Sequence, residues 1–180
     1  MQPPSRPVEV PRFIIVMGVS GAGKTTVGQA LSVALGWDFY DADHFHPPEN
    51  VAKMTAGIPL NDNDRHPWLV ALHDLIAGCL AKNHPGVLAC SALKKRYRQT
   101  LYGHLPQVQL VYLRGDFTTI LARMDRRSDH YMKPEMLRSQ FADLEEPEDA
   151  LVIDIRQDVP AIVQAILQAY GFTCSGNESS

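Results

Sequence analysis

Short apolar, β-prone runs recur along the chain at 13–17 (FIIVM), 39–40 (FY), 87–90 (VLAC), 108–113 (VQLVYL) and 151–155 (LVIDI), each followed by a segment with helical spacing. This alternation predicts an α/β fold, with a five-stranded, mostly parallel sheet, helices on both faces in three layers, and right-handed crossovers. After the first strand, Val27, Ala30, Leu31, Ala34 and Leu35 form one apolar stripe. A second stripe follows Pro67: Leu69, Leu72, Ile76, Cys79 and Leu80, with Trp68 as the first core anchor of that helix. Asp116 reads as the cap of a helix carrying Phe117, Ile120, Leu121 and Met124. Asp158 with Pro160 opens a last one, through Ile162, Val163, Ile166 and Leu167, closed by Gly171. In such sheets ligands bind beyond the carboxyl ends of the strands.

The flanks of this pattern are different. Residues 1–11 are Pro-rich and 173–180 polar, so both read as flexible tails around a single domain at 12–172. The full chain of 180 residues suits one core, with room for an inserted lid. A formal net charge of -3 gives no global field toward nucleic acid or anionic lipid, so neither is an expected partner. Three cysteines without a C-x-x-C pair indicate neither a zinc knuckle nor a disulfide framework. With no signal-peptide pattern and no run long enough to span a bilayer, the sequence points to a cytoplasmic protein.

The chemistry begins directly after FIIVM. Gly18-Val19-Ser20-Gly21-Ala22-Gly23-Lys24-Thr25 matches G-x-x-x-x-G-K-[ST] in full, continues through Thr26, and leads into an amphipathic helix, where a phosphate-binding loop must lie. Its glycines let successive N–H groups curl round a phosphate, and the helix N-terminus adds its positive end. Lys24 would reach the β/γ-phosphates of ATP and the Thr25 hydroxyl would take a place on Mg2+. D-x-x-G and N-K-x-D are both missing, which argues against a guanine-nucleotide switch. No Walker-B acid ends an apolar strand either, since VLAC runs into Ser91 and VQLVYL into Arg114. Asp41 and Asp43, after Phe39-Tyr40, are the remaining candidates. They point the same way if the strand persists that far. One could hold magnesium through water while the other takes the proton of an attacking hydroxyl. His44 and His46 flank the pair, but a magnesium-using loop argues against a zinc cluster.

Three segments are more specific than the loop: DADHFHPPENVAKMTAGIPLNDNDRHPWL from Asp41, CSALKKRYR from Cys90 to Arg98, and HYMKPEMLRSQFADLEEP from His130 to Pro147. In content and order they closely resemble the gluconokinases of the shikimate-kinase-like P-loop group. The resemblance implies a P-loop kinase fold with a small helical lid at about 123–140, ATP and Mg2+ as donor and cofactor, D-gluconate as the small-molecule substrate phosphorylated on its 6-hydroxyl, and a homodimer. It assigns Lys24 and Asp43 to catalysis with Arg123 or Arg127 from the lid, and Thr25 and Asp41 to the metal. Candidate acceptor contacts are Asp43, His46, Lys53, Asn61, Asp64, Arg65, Ser91, Lys94, Arg98, His130 and Lys133. They supply cations for a carboxylate and polar groups for hydroxyls. Within the run Lys94 to Arg98, Lys94 and Arg98 are chosen as the site-facing pair because i and i+4 share a helix face. Asp129 stands where a Gly commonly precedes the lid His. The alternatives at this point are a kinase for another small anionic polyol, such as shikimate, and a nucleotide-sensing module without turnover.

Overall fold

The computed structural model describes residues 10–126 and 133–172. Five strands, β1 (Phe13–Met17), β2 (Asp38–Asp41), β3 (Gly86–Ala89), β4 (Val108–Arg114) and β5 (Leu151–Asp154), form one sheet in the order β2-β3-β1-β4-β5. Every strand pairing is parallel. Between and after them run α1 (Lys24–Leu35), α2 (Pro48–Thr55), α3 (Asp62–Ala81), α4 (Lys95–Tyr102), α5 (Phe117–Asp125), α6 (Pro134–Asp143) and α7 (Val159–Ala169). All five apolar runs therefore become strands, within a residue or two of their expected bounds.

The central strand shows why a continuous apolar run is required. All of β1 is buried, and its side chains alternate between two cores. Ile14 and Val16 join α1 and α7 through Leu31, Ile162 and Ile166. Phe13, Ile15 and Met17 join α3 through Leu69, Leu72 and Ile76 on the other face. Fully burying side chains of this size is worth about 1.5–3 kcal/mol each. β1 thus fixes the strand end from which the phosphate loop springs.

Capping at the late helices follows the sequence. Asp116 accepts the Thr119 N–H at 2.7 Å and Asp158 that of Ala161 at 2.8 Å. Two expectations need correction. On α1 the buried face is Val27, Gly28, Leu31 and Ser32, while Ala34 is exposed. The helix carrying Trp68 does not start after Pro67 but at Asp62, with Pro67 inside it. The earlier start is held by a reciprocal capping box, in which Asn61 accepts the Asp64 N–H at 2.9 Å and Asp64 accepts the Asn61 N–H at 3.0 Å. Among the described residues, no helix is long and apolar enough to cross a membrane.

Candidate active site

The loop from Gly18 to Thr25 leaves β1 at its carboxyl end and closes as the first turn of α1. Gly21 (φ 80) and Gly23 (φ 97) lie in the left-handed region, where a Cβ is strained. At Gly21 the space is also taken, because a Cβ would meet Met124 at 2.9 Å and Ile120 at 3.0 Å. α5 therefore rests directly on the loop. Next to it, the Ser20 N–H donates to Gln140 Oε1 at 2.7 Å and Gln140 Nε2 donates to Ser20 Oγ at 2.9 Å. This paired contact ties α6 to the same turn.

Lys24 Nζ donates to the Val19 carbonyl at 3.0 Å, folded back on its own loop. The residue keeps some accessible surface, yet its ammonium sits among protein atoms, and burial lowers its pKa against the opposing pull of Asp43 and Asp41. Cys90, just beyond β3, lies within electrostatic reach of the same three groups, and burial pushes its thiol up to about 12. The thiol stays neutral beside Lys24.

β2 ends at Asp41 and the chain turns into a 3-10 helix, Ala42–Phe45, so strand alternation does not reach Asp43. The turn separates the two carboxylates. Asp41 accepts the Asp43 N–H at 3.0 Å through one oxygen and the Thr25 hydroxyl at 3.1 Å through the other. That joins the two residues assigned to the metal. Two neighbouring hard oxygens beside a phosphate loop fit magnesium, which keeps several waters and needs few protein ligands. Asp43 is exposed and acts electrostatically on both Lys24 and His46.

His46 stacks on Trp68 with ring centroids 4.4 Å apart, and burial lowers its pKa. Asn50 Nδ2 donates to the Asp64 carbonyl at 2.8 Å and lies 3.3 Å from His46 Nδ1. Since that carbonyl can only accept, the amide nitrogen is fixed, His46 Nδ1 must accept, and the proton of the neutral ring sits on Nε2. The ring thus offers an N–H donor, and Arg65 is close enough to influence it electrostatically.

The remaining acceptor candidates divide. Lys53 is paired with Asp64 at 2.6 Å, and Asn61 and Asp64 hold the start of α3, so these three are tied to one another. Lys94 and Arg65 flank the Tyr97 ring, at 5.7 and 5.6 Å from its centroid. Arg98 does not share their face. It is buried and donates to the carbonyls of Ala92 and Leu93 at 2.9 and 3.0 Å. Ala92 has a φ of 45, a left-handed conformation costing a residue with a Cβ roughly 1–2 kcal/mol, and Arg98 braces that turn. The i and i+4 rule fails here because Lys94 caps α4 rather than lying within it. Ser91 is partly buried in the same connection, and Lys133 is exposed at the cap of α6. Arg123 donates to the Ile155 carbonyl, just past the carboxyl end of β5. Arg127 and His130 lie outside the described residues, as do residues 127–132 of the expected lid.

Sequence reasoning passed over Gln140, Tyr97 and Asp62, whose partners lie far away in the chain. A groove of about 560 Å3 between α4 and Glu145–Asp149 shares no residue with the phosphate loop. Its walls carry Glu145, Glu146, Glu148 and Asp149 against Lys95 and Arg98, so acidic groups outnumber basic ones there.

Comparison with known proteins agrees with this geometry. The shikimate kinase family model matches residues 20–169. A thermosensitive gluconokinase of Escherichia coli (strain K12) is 45% identical over 159 residues, covering 86% of this chain and 85% of its own. A probable gluconokinase of Mus musculus is 43% identical, covering 90% and 99%. The crystal structure of a gluconokinase from Sinorhizobium meliloti 1021 superposes with a TM-score of 0.81 at 40% identity, covering 91% of this chain and 93% of that one. With a complete phosphate loop at the end of β1 and relatives of this similarity over nearly its whole length, the chain belongs to the gluconokinases, within the shikimate kinase family of P-loop kinases.

Proposed function

We propose that this protein transfers the γ-phosphoryl group of ATP to the 6-hydroxyl of D-gluconate, forming 6-phospho-D-gluconate and ADP. The observation that carries the reading is the phosphate loop at the end of β1 with Asp41 held against its Thr25 hydroxyl at 3.1 Å, and with Asp43 and Arg65 both within electrostatic reach of His46. Lys24 is influenced by Asp43, Asp43 by proximity influences His46, and Arg65 links His46 to Tyr97.

In this reading the loop amides and Lys24 hold the ATP phosphates, and Asp43 orients the acceptor hydroxyl and takes its proton as the bond to phosphorus forms. His46 donates Nε2–H to a hydroxyl of the sugar acid. Arg65 and Lys94 face its carboxylate. Thr25 and Asp41 would hold magnesium, which supplies charge neutralisation at the β- and γ-oxygens when bound. Ser91 and Lys133, with His130 beyond the described residues, are further acceptor contacts. Arg123 or Arg127 would add positive charge against the phosphates, which for Arg123 requires release from the Ile155 carbonyl.

An acceptor panel at saturating MgATP tests the substrate assignment. D-gluconate should be phosphorylated, while glucose, which lacks the carboxylate, and AMP should give no product above the rate without acceptor. Efficient turnover of shikimate or AMP with none of gluconate would overturn the assignment.

A further inference from the structure

We infer that Tyr97 is a positioning residue that arrays three cations into a single receptor for the acceptor's carboxylate, an inference that rests on the proposed function. Arg65, Lys94 and Arg96 surround its ring at 5.6, 5.7 and 5.6 Å from the centroid. Three like charges at such spacing repel, so the fold must hold them together by other means.

It does so from one buried phenol. Tyr97 is 5% exposed, packed in the core against Leu101, and its hydroxyl emerges between α3 and α4. The single hydroxyl proton goes to Asp62 Oδ1 at 2.5 Å, which leaves the oxygen to accept from Arg65 Nη1 at 3.1 Å. Asp62 in turn accepts from Arg96 and pairs with Lys94 at 3.8 Å. The ring supplies its negative face to all three cations, a geometry worth more as water is excluded.

The charges do not close without a ligand. Lys94 and Arg96 share Asp62, and Lys94 also approaches Asp143 at 3.4 Å, while Arg65 donates to the Tyr97 hydroxyl and pairs with neither carboxylate. Lys53 and Asp64 neutralise each other nearby. One positive charge is left for one anionic group, which matches a sugar acid with a single carboxylate and fits neither a neutral sugar nor a dianionic phosphate ester. Tyr97 sets the selectivity without touching the reacting atoms.

Tyr97→Phe isolates the point, because it keeps the ring and its packing and removes only the hydroxyl. The KM and calorimetric Kd for D-gluconate should rise roughly tenfold, with the KM for ATP within about twofold of wild type and kcat at saturation reduced far less than kcat/KM. Asp62→Ala, on an exposed side chain, removes the acceptor that fixes this hydroxyl and should act in the same direction, and the double variant should be no worse than the more affected single one. It also tests the same hydrogen bond if Tyr97→Phe folds poorly. Unchanged gluconate affinity in both variants, or equal rises in both substrates' KM, would overturn the role of Tyr97. A wild-type protein that turns over no gluconate would instead overturn the reading beneath it, and that control is measured first.

Discussion

Lys24→Met is expected to lower kcat/KM by about a hundredfold or more while leaving the protein at least as stable as wild type. The activity loss follows from removing the ammonium that, in the proposed mechanism, meets the transferring phosphoryl group. The stability result follows from the burial of that ammonium, whose pKa in the folded protein is lowered. A lysine with a lowered pKa binds its proton less well folded than unfolded, so between the folded and unfolded pKa values the unfolded chain holds more protons and stability rises with pH. Below the folded pKa the full burden is present. Met fills the same space without it. Thermal melts of nucleotide-free protein, alongside steady-state kinetics, check both halves. Near-wild-type turnover would end the catalytic assignment of the loop, and a collapse of Tm would show that Val19 and the aspartates more than offset the burial.

Asp43→Asn is expected to cut kcat by about a hundredfold to ten-thousandfold, the usual range for a positioned general base, with the KM for ATP nearly unchanged. The variant keeps the size of the side chain and leaves the Asp43 N–H free to donate to Asp41. It removes the charge that acts electrostatically on both Lys24 and His46. Asp41→Asn should instead raise the magnesium concentration needed for half-maximal rate, since Asp41 already engages the Thr25 hydroxyl. If Asp43→Asn kept most of its kcat while Asp41→Asn lost nearly all of it, the two roles would be exchanged.

The phosphate loop and all five strands were legible because each is local: an apolar run of fixed length, or eight consecutive positions with one backbone purpose. The start of α3 was misread because Pro67 looks like a first-turn residue. The competing signal was present in Asn61 and Asp64, a capping pair using Asp in place of the commoner Glu or Gln. Asp41 and Asp43 stand out together in the sequence, but their different placement depends on a 3-10 turn that strand periodicity could not show. Arg98 and Lys94 looked equivalent in a run of cations, and only tertiary burial separates the buried brace from the partly exposed charge. Gln140 meets Ser20 across 120 residues and Tyr97 meets Asp62 across 35, separations at which no local pattern carries information.

The same separations explain the economy of the site. α3 supplies Asp62 and Arg65, and the β3–α4 connection with α4 supplies Lys94, Arg96 and Tyr97. The proposed acceptor wall would therefore be assembled by packing these two helices together, while the phosphate loop is held by α5 and α6. Substitutions on one side should move one substrate's KM and spare the other's.

The most direct test of the whole account is the structure of the product formed from ATP and D-gluconate, read by proton-coupled phosphorus NMR. The expected product is a single phosphomonoester whose phosphorus is split by the two methylene protons at carbon 6, formed in step with ADP. Release of ADP and inorganic phosphate without an ester, or an ester whose phosphorus couples to a single methine proton, would contradict it.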